Sequence, residues 1–82
     1  MNNKLTIYTD GGARGNPGPS GIGVVIFDEK GDIIDEISKY IGNATNNQAE
    51  YKALIAGLVK AKELGGQEIE VFLDSELVVK QL

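Results

Sequence analysis

The chain contains no cysteine and no histidine. Without thiols there are no disulfides and no thiolate zinc sites, and nothing in the composition points to an oxidising compartment. Without imidazole, zinc fingers, Cys/His and Ser/His/Asp nucleophile systems and every histidine acid/base mechanism are excluded as well. Long apolar runs are also missing. No stretch approaches the roughly 20 apolar residues of a membrane span, and Met1-Asn2-Asn3-Lys4 lacks the apolar segment of a signal peptide. A soluble, cytoplasmic protein without membrane contact is the expectation. Basic charge is scarce too: 8 Lys and Arg stand against 12 Asp and Glu, a formal net charge of −4. That is not the footprint of a protein held on nucleic acid mainly by lysines. What remains for chemistry is the carboxylate.

At 82 residues the chain has room for one domain and one modest core, hiding about 60–65% of the surface its unfolded form exposes. A hydrophobic content of 41% with 24% charged residues is too apolar for a disordered segment. Residues 1–82 carry no internal repeat, no low-complexity tract and no second domain.

Leu5 and Ile7 alternate with Lys4, Thr6 and Tyr8, which predicts a strand from Lys4 to Asp10. Gly11 to Gly21, with five glycines and two prolines, reads as a loop outside helix and ladder alike. Ile22 to Phe27 is apolar enough for a strand covered on both faces. Asp28 to Asp32 reads as a hairpin connection with Gly31 at positive φ, and the more polar Ile33 to Ile41 as a third, edge strand. A helix is predicted from Thr45 to Leu64, stopped by Gly65-Gly66, with Ala53, Leu54, Gly57, Leu58, Ala61 and Leu64 on the stripe that faces a sheet. Ile69 to Asp74 is a fourth strand, and Ser75 a cap for a further helix, Glu76 to Leu82. The helical crossover predicts strand four parallel to strand one, so that Asp10 and Asp74 share a rim.

Ligand sites of open α/β sheets gather at the carboxyl ends of strands, which singles out Asp10 and Asp74. Glu50 continues the predicted buried stripe into the first helical turn, where a carboxylate is costly unless paired, protonated or metal-bound. Each has a plainer explanation. Asp10 suits a turn before Gly11-Gly12, Asp74 suits a helix start, and Glu50 completes a capping box counted from Asn47. Only a shared site explains all three together. None has a Lys or Arg beside it in sequence, so three converging carboxylates call for a hard divalent cation. Mg²⁺ suits such oxygen ligands, and a pair of ions roughly 4 Å apart suits in-line phosphodiester hydrolysis. A phosphate loop at Gly11–Gly18 fits poorly, because Pro17 and Pro19 interrupt it and it leads into a strand rather than opening a helix with GK[ST].

The ordered set Tyr8-Thr9-Asp10-Gly11-Gly12-Ala13-Arg14-Gly15-Asn16-Pro17-Gly18-Pro19, Thr45-Asn46-Asn47-Gln48-Ala49-Glu50 and Leu73-Asp74-Ser75 resembles the type 1 ribonuclease H family, in its compact branch that lacks a basic protrusion. The resemblance runs from the first strand to Leu82. It implies a ribonuclease H-like α/β fold: a mixed sheet of three antiparallel strands plus a fourth parallel to the first, with a helix packed on it. It implies an endonuclease that cuts the RNA strand of an RNA/DNA hybrid with Mg²⁺, or Mn²⁺. By position, Asp10, Glu50 and Asp74 correspond to metal ligands, with Gly11 beside them in the metal site. Asn16, Asn46, Asn47 and Glu76 fall where the family meets the hybrid's minor groove, and Thr45 where it holds a DNA phosphate. Asn16-Pro17-Gly18 is equally a good turn, and Thr45-x-x-Gln48 or Asn47 a good helix cap.

Two departures stand out. Glu76 occupies a position where many relatives have Gln. The family's fifth strand, further helices and fourth active-site Asp have no counterpart in residues 1–82, so an incomplete domain, weak activity and self-association through an unpaired edge are expected. A non-catalytic module that grips hybrid or a partner protein is the competing reading; exchanging Asp10 for Asn separates the two.

Overall fold

A computed structural model describes residues 4–73. It contains β1 (Lys4–Ala13), β2 (Gly18–Phe27), β3 (Ile33–Ala44), α1 (Asn46–Glu63) and β4 (Glu68–Leu73). The four strands form one sheet in the order β3-β2-β1-β4. β1 pairs antiparallel with β2 and parallel with β4, and β2 pairs antiparallel with β3. The predicted mixed sheet and the edge position of β3 are both present. Ser75 and the predicted helix Glu76–Leu82 lie outside the described residues.

The core forms where α1 crosses β1 and β2. Leu5, Ile7, Val24, Ile26 and Ala61 are buried together, with Ile37, Ala56, Ile69 and Val71 packed around them. The apolar alternation of β1 is what brings Leu5 and Ile7 to the helix side and leaves Tyr8 on the other.

Three expectations are corrected. β2 is not covered equally on both faces: Gly18, Ser20, Ile22, Val24 and Ile26 are buried while Gly21, Gly23, Val25 and Phe27 are only half-buried. A single helix covers a single face. The glycine stretch is not a loop throughout, since Gly11↔Ile22, Gly12↔Gly21 and Ala13↔Ser20 continue the ladder and leave only the turn 14–17. Glycine has no side chain that opposes pairing where a neighbouring strand supplies the hydrogen bonds. Asp10 therefore sits inside β1, opposite Gly23, and not at its end. Finally, the buried stripe of α1 is Ala49, Ala53, Gly57 and Ala61, whereas Leu58 and Leu64 are exposed and Leu54 is half-buried. Small residues four apart let the helix backbone settle close to the sheet, which turns the leucines to its flank. A β-carbon at Gly57 would stand 2.9 Å from Ile7 Cγ2 and 3.2 Å from Thr9 Cγ2.

The turns follow their local chemistry. Gly31 and Gly65 have φ of 88° and 83°, the left-handed conformation that glycine adopts at little cost. Gly42, at φ 82°, accompanies a bulge in β3, where Ser20 pairs with Gly42 but Gly21 pairs with Tyr40.

Candidate active site

Three segments meet at the carboxyl end of β1: the tight turn 14–17, the start of α1 and the last residue of β4. The turn is closed by the Arg14 backbone N–H donating to the Pro19 carbonyl at 2.8 Å. Gly18 lies so close beneath it that a β-carbon would overlap the Arg14 carbonyl. Buried Ser20 places its hydroxyl 2.8 Å from the Gly18 carbonyl and 3.1 Å from the Ala44 carbonyl, joining the turn to the end of β3.

Two asparagines then tie the turn to the helix. Asn46 Oδ1 accepts from the Ala13 backbone N–H at 2.7 Å, and Asn16 Oδ1 accepts from the Asn46 backbone N–H at 3.0 Å. Both side chains use their carbonyl oxygen inward, so both retain two amide N–H donors. Thr45 is the N-cap. Its hydroxyl oxygen accepts from Gln48 N–H at 3.1 Å while Gln48 Oε1 accepts from Thr45 N–H at 2.9 Å, a complete capping box. This decides between the alternatives left open by the sequence: neither Asn47 nor Glu50 caps the helix.

Glu50 is thereby free of a capping role, and its backbone is held against β1. A β-carbon at Gly11 would overlap the Ala49 carbonyl and stand 2.7 Å from the Glu50 backbone nitrogen. Only glycine permits this approach, and it places Glu50 beside the residue that follows Asp10. Glu50 also lines a recess with Asn47, Tyr51, Leu54 and Leu73. Leu73, the last described residue of β4, pairs with Thr9. The described part of the site therefore brings Asp10, Gly11, Glu50 and the end of β4 to one corner, with Asn16, Thr45 and Asn46 along its rim and Asn47 in the recess. Asp74 and Glu76 lie outside the described residues, so the shared rim of Asp10 and Asp74 is not described either.

Asp10 is exposed and Glu50 half-buried, and no ion pair joins either to a cation among the described residues. Among the described residues no group of three or more carboxylates clusters so as to hold a metal ion. Asp10 and Glu50 are oxygen ligands of the kind a hard divalent cation takes, and Asp10 also lines a recess with Ser38, Lys39 and Tyr40. Sequence reasoning missed the structural work of Asn16 and Asn46 and the close approach at Gly11. These contacts span 30 or more residues, and no local pattern marks them; the only hint was a glycine directly after a strand carboxylate.

A strand-strand-strand-helix-strand unit with three antiparallel strands and a fourth parallel to the first is the ribonuclease H-like class of α/β domain. The model of the family described as reverse transcriptase-like matches residues 8–82, and the chain belongs to that family. It is similar to ribonuclease HI of Halobacterium salinarum, with 53% identity over 96% of this chain and 40% of the relative. It is also similar to a bifunctional protein of Mycobacterium tuberculosis, with 50% identity over 96% of this chain and 22% of that protein. The N-terminal ribonuclease H domain of a Mycobacterium tuberculosis protein, solved as a fusion with maltose-binding protein, superposes with a TM-score of 0.85 at 51% identity. That match covers 95% of this chain and 60% of that one. LC11-RNase H1 in complex with an RNA/DNA hybrid superposes with a TM-score of 0.80 at 58% identity, covering 94% of this chain and 59% of that one. The chain spans about half or less of the curated relatives it matches and about 60% of the solved structures.

Proposed function

We propose that the protein carrying this chain is an endoribonuclease that hydrolyses the RNA strand of RNA/DNA hybrids. The observation that carries the reading is the packing of Gly11 on the Ala49–Glu50 peptide, together with the pairing of Thr9 with Leu73. Asp10 follows Thr9 and Asp74 follows Leu73. That shared position in the two strands, one residue before each Asp, supports reading Asp10 and Asp74 together with Glu50 as one ligand set.

Asp10, Glu50 and Asp74, with Gly11 beside them, would hold divalent cations, Mg²⁺ or Mn²⁺. Bound there, two ions would supply an activated water and stabilise charge on the phosphorus during in-line displacement. The chain's own residues do the positioning. Asn16 and Asn46 spend their carbonyl oxygens on backbone N–H groups and so present N–H donors, which suit minor-groove base acceptors and 2′-hydroxyls. Asn47 lines the same recess as Glu50 and would face the hybrid with it. The Thr45 hydroxyl accepts within the cap and keeps its own proton for a phosphate oxygen of the DNA strand. Glu76 would meet the minor groove as an anion. The solved hybrid complex of LC11-RNase H1 supports the substrate class.

The test is Asp10→Asn in the full-length protein. Loss of Mg²⁺-dependent hybrid cleavage with hybrid binding retained is the expected result. Cleavage at the unsubstituted rate would overturn the proposal, and hybrid binding by a protein that never cleaves would leave a binding module in its place.

A further inference from the structure

α1 runs along β3 in the opposite direction, and two matching positions on that seam differ in charge. At one, Lys60 Nζ lies 3.4 Å from Asp35 Oδ2. Four residues further along β3, about 13 Å, stands Lys39. Eight residues back along α1, about 12 Å, stands Lys52. These two lysines line one recess, floored by Ile22, Ile41 and Ile55 and bordered by Tyr40. No acidic side chain lines that recess, and neither lysine belongs to an ion pair among the described residues. The position that carries a salt bridge at one end of the seam carries two like charges at the other. In a chain with net charge −4, two cations lining one recess without an acidic neighbour in it are available to an anion.

The recess also lies toward the catalytic end. Lys52 is seven residues from the Thr45 cap, about 10 Å along α1, which is about three rises of a single strand at roughly 3.4 Å per phosphate. We infer that Lys39 and Lys52 form a second backbone-phosphate contact, taking phosphates of the bound nucleic acid beyond the Thr45 end of α1. The inference rests on the hybrid-binding reading above. It accounts for how an acidic chain grips a polyanion: few cations are needed if two of them share a recess in line with the helix start. Ile22, Ile41 and Ile55 line the same recess as the two lysines, an apolar wall against which their long aliphatic stems can lie while the charged ends reach a phosphate. Tyr40, 69% exposed, stands at the border as a hydroxyl donor.

The experiment is the double substitution Lys39→Gln/Lys52→Gln in the full-length protein. Hybrid affinity is measured by fluorescence anisotropy across a salt series, on the Asp10→Asn background so that the substrate survives. Each phosphate contact contributes about 0.9 to the slope of log affinity against log salt. The double variant should lower that slope by about 1.8, weaken hybrids of different sequence about equally and, with Asp10 intact, raise KM while leaving kcat unchanged. Lys39→Arg/Lys52→Arg should restore the slope, which excludes a folding defect as the cause. An unchanged slope, or a loss of kcat at unchanged KM, overturns the inference while leaving the hybrid reading intact. Absence of hybrid binding before substitution overturns the hybrid reading itself. If the double variant loses affinity for polyglutamate but not for hybrid, the recess is a protein-docking site and the inference fails.

Discussion

Gly11 and Glu50 are in backbone contact: a β-carbon on Gly11 would stand 2.7 Å from the Glu50 nitrogen and overlap the carbonyl before it. At Gly11 itself the contact is backbone against backbone, with the Asn46–Ala13 hydrogen bond two residues further on. A strand and a helix meet because one residue has nothing to put between them.

Gly11→Ala should therefore destabilise the fold out of proportion to one methyl group. The neighbours are backbone atoms, which yield only if α1 shifts. Overpacking of this kind costs about 1–3 kcal/mol, and for a domain of this size about 4–8 °C of melting temperature per kcal/mol. Thermal unfolding of the two proteins checks it. A loss of cleavage larger than the loss of stability is also expected, because the shift carries Glu50 away from Asp10. By contrast, Gly12→Ala, with open space around the glycine, should leave melting almost unchanged.

At Gly57 the obstruction is side chains rather than backbone. Gly57→Val should push α1 off Ile7, Thr9 and Val24 and cost about 2 kcal/mol or more, read as a lower denaturation midpoint. Gly57→Ala should be milder, because Ile7 Cγ2 can give a few tenths of an ångström and alanine favours the helix by about 1 kcal/mol.

Asn46 and Asn16 each hold a backbone N–H across the turn–helix junction, so alanine at either should cost about 1 kcal/mol of stability. Their cost to hybrid binding should be larger, since each substitution also removes two outward donors. Asn46→Asp preserves the acceptor and removes the donors. It should keep most of the stability and lose hybrid affinity, a split that isothermal titration against hybrid and thermal melting can resolve.

Metal binding should appear as stability. With 10 mM Mg²⁺ and a dissociation constant of about 1 mM, the folded protein gains about 1.4 kcal/mol. Asp10→Asn/Glu50→Gln should abolish that gain, and Mn²⁺ should behave as Mg²⁺ does. In the absence of metal the same double variant should melt slightly higher, since it relieves repulsion between two carboxylates that lack cationic partners among the described residues. A metal-independent melting temperature in the unsubstituted protein would refute the site.

Residues 1–82 expressed alone should self-associate. Among the described residues β4 pairs on one side only, with β1, and Tyr8 and Phe72 stack at 5.0 Å with about two-fifths of each exposed on the face opposite α1. Light scattering that showed a stable monomer would count against this.

Strand β1, the Gly31 turn, the edge position of β3, the stop at Gly65 and the parallel course of β4 were legible because each rests on a local pattern or a chirality rule. The glycine ladder was not. Gly11 to Ala13 and Gly18 to Gly21 pair only because two strands are already side by side. The stripe of α1 was misjudged for a related reason, since leucines are the stronger hydrophobic signal in isolation while close packing on a sheet selects Ala49, Ala53, Gly57 and Ala61. Asp10 and Glu50 could be picked out as unpaired carboxylates. That Thr45 rather than Asn47 caps the helix, and that Glu50 is consequently left without a capping role, could not.

The amino-acid order by itself determined which chemistry is available, carboxylates with neither thiol nor imidazole, and where strands and helix lie along the chain. Both depend on residue identity and on periods of two and 3.6, which neighbours in sequence impose on one another. Tertiary structure alone decided which residues meet. Gly11 against Glu50 and Asn46 against Ala13 are contacts between segments 39 and 33 positions apart, and Lys39 and Lys52 come to one recess from different elements. Such contacts are set by how closely the helix can approach the sheet, and the side chains that permit the approach are the ones that are absent.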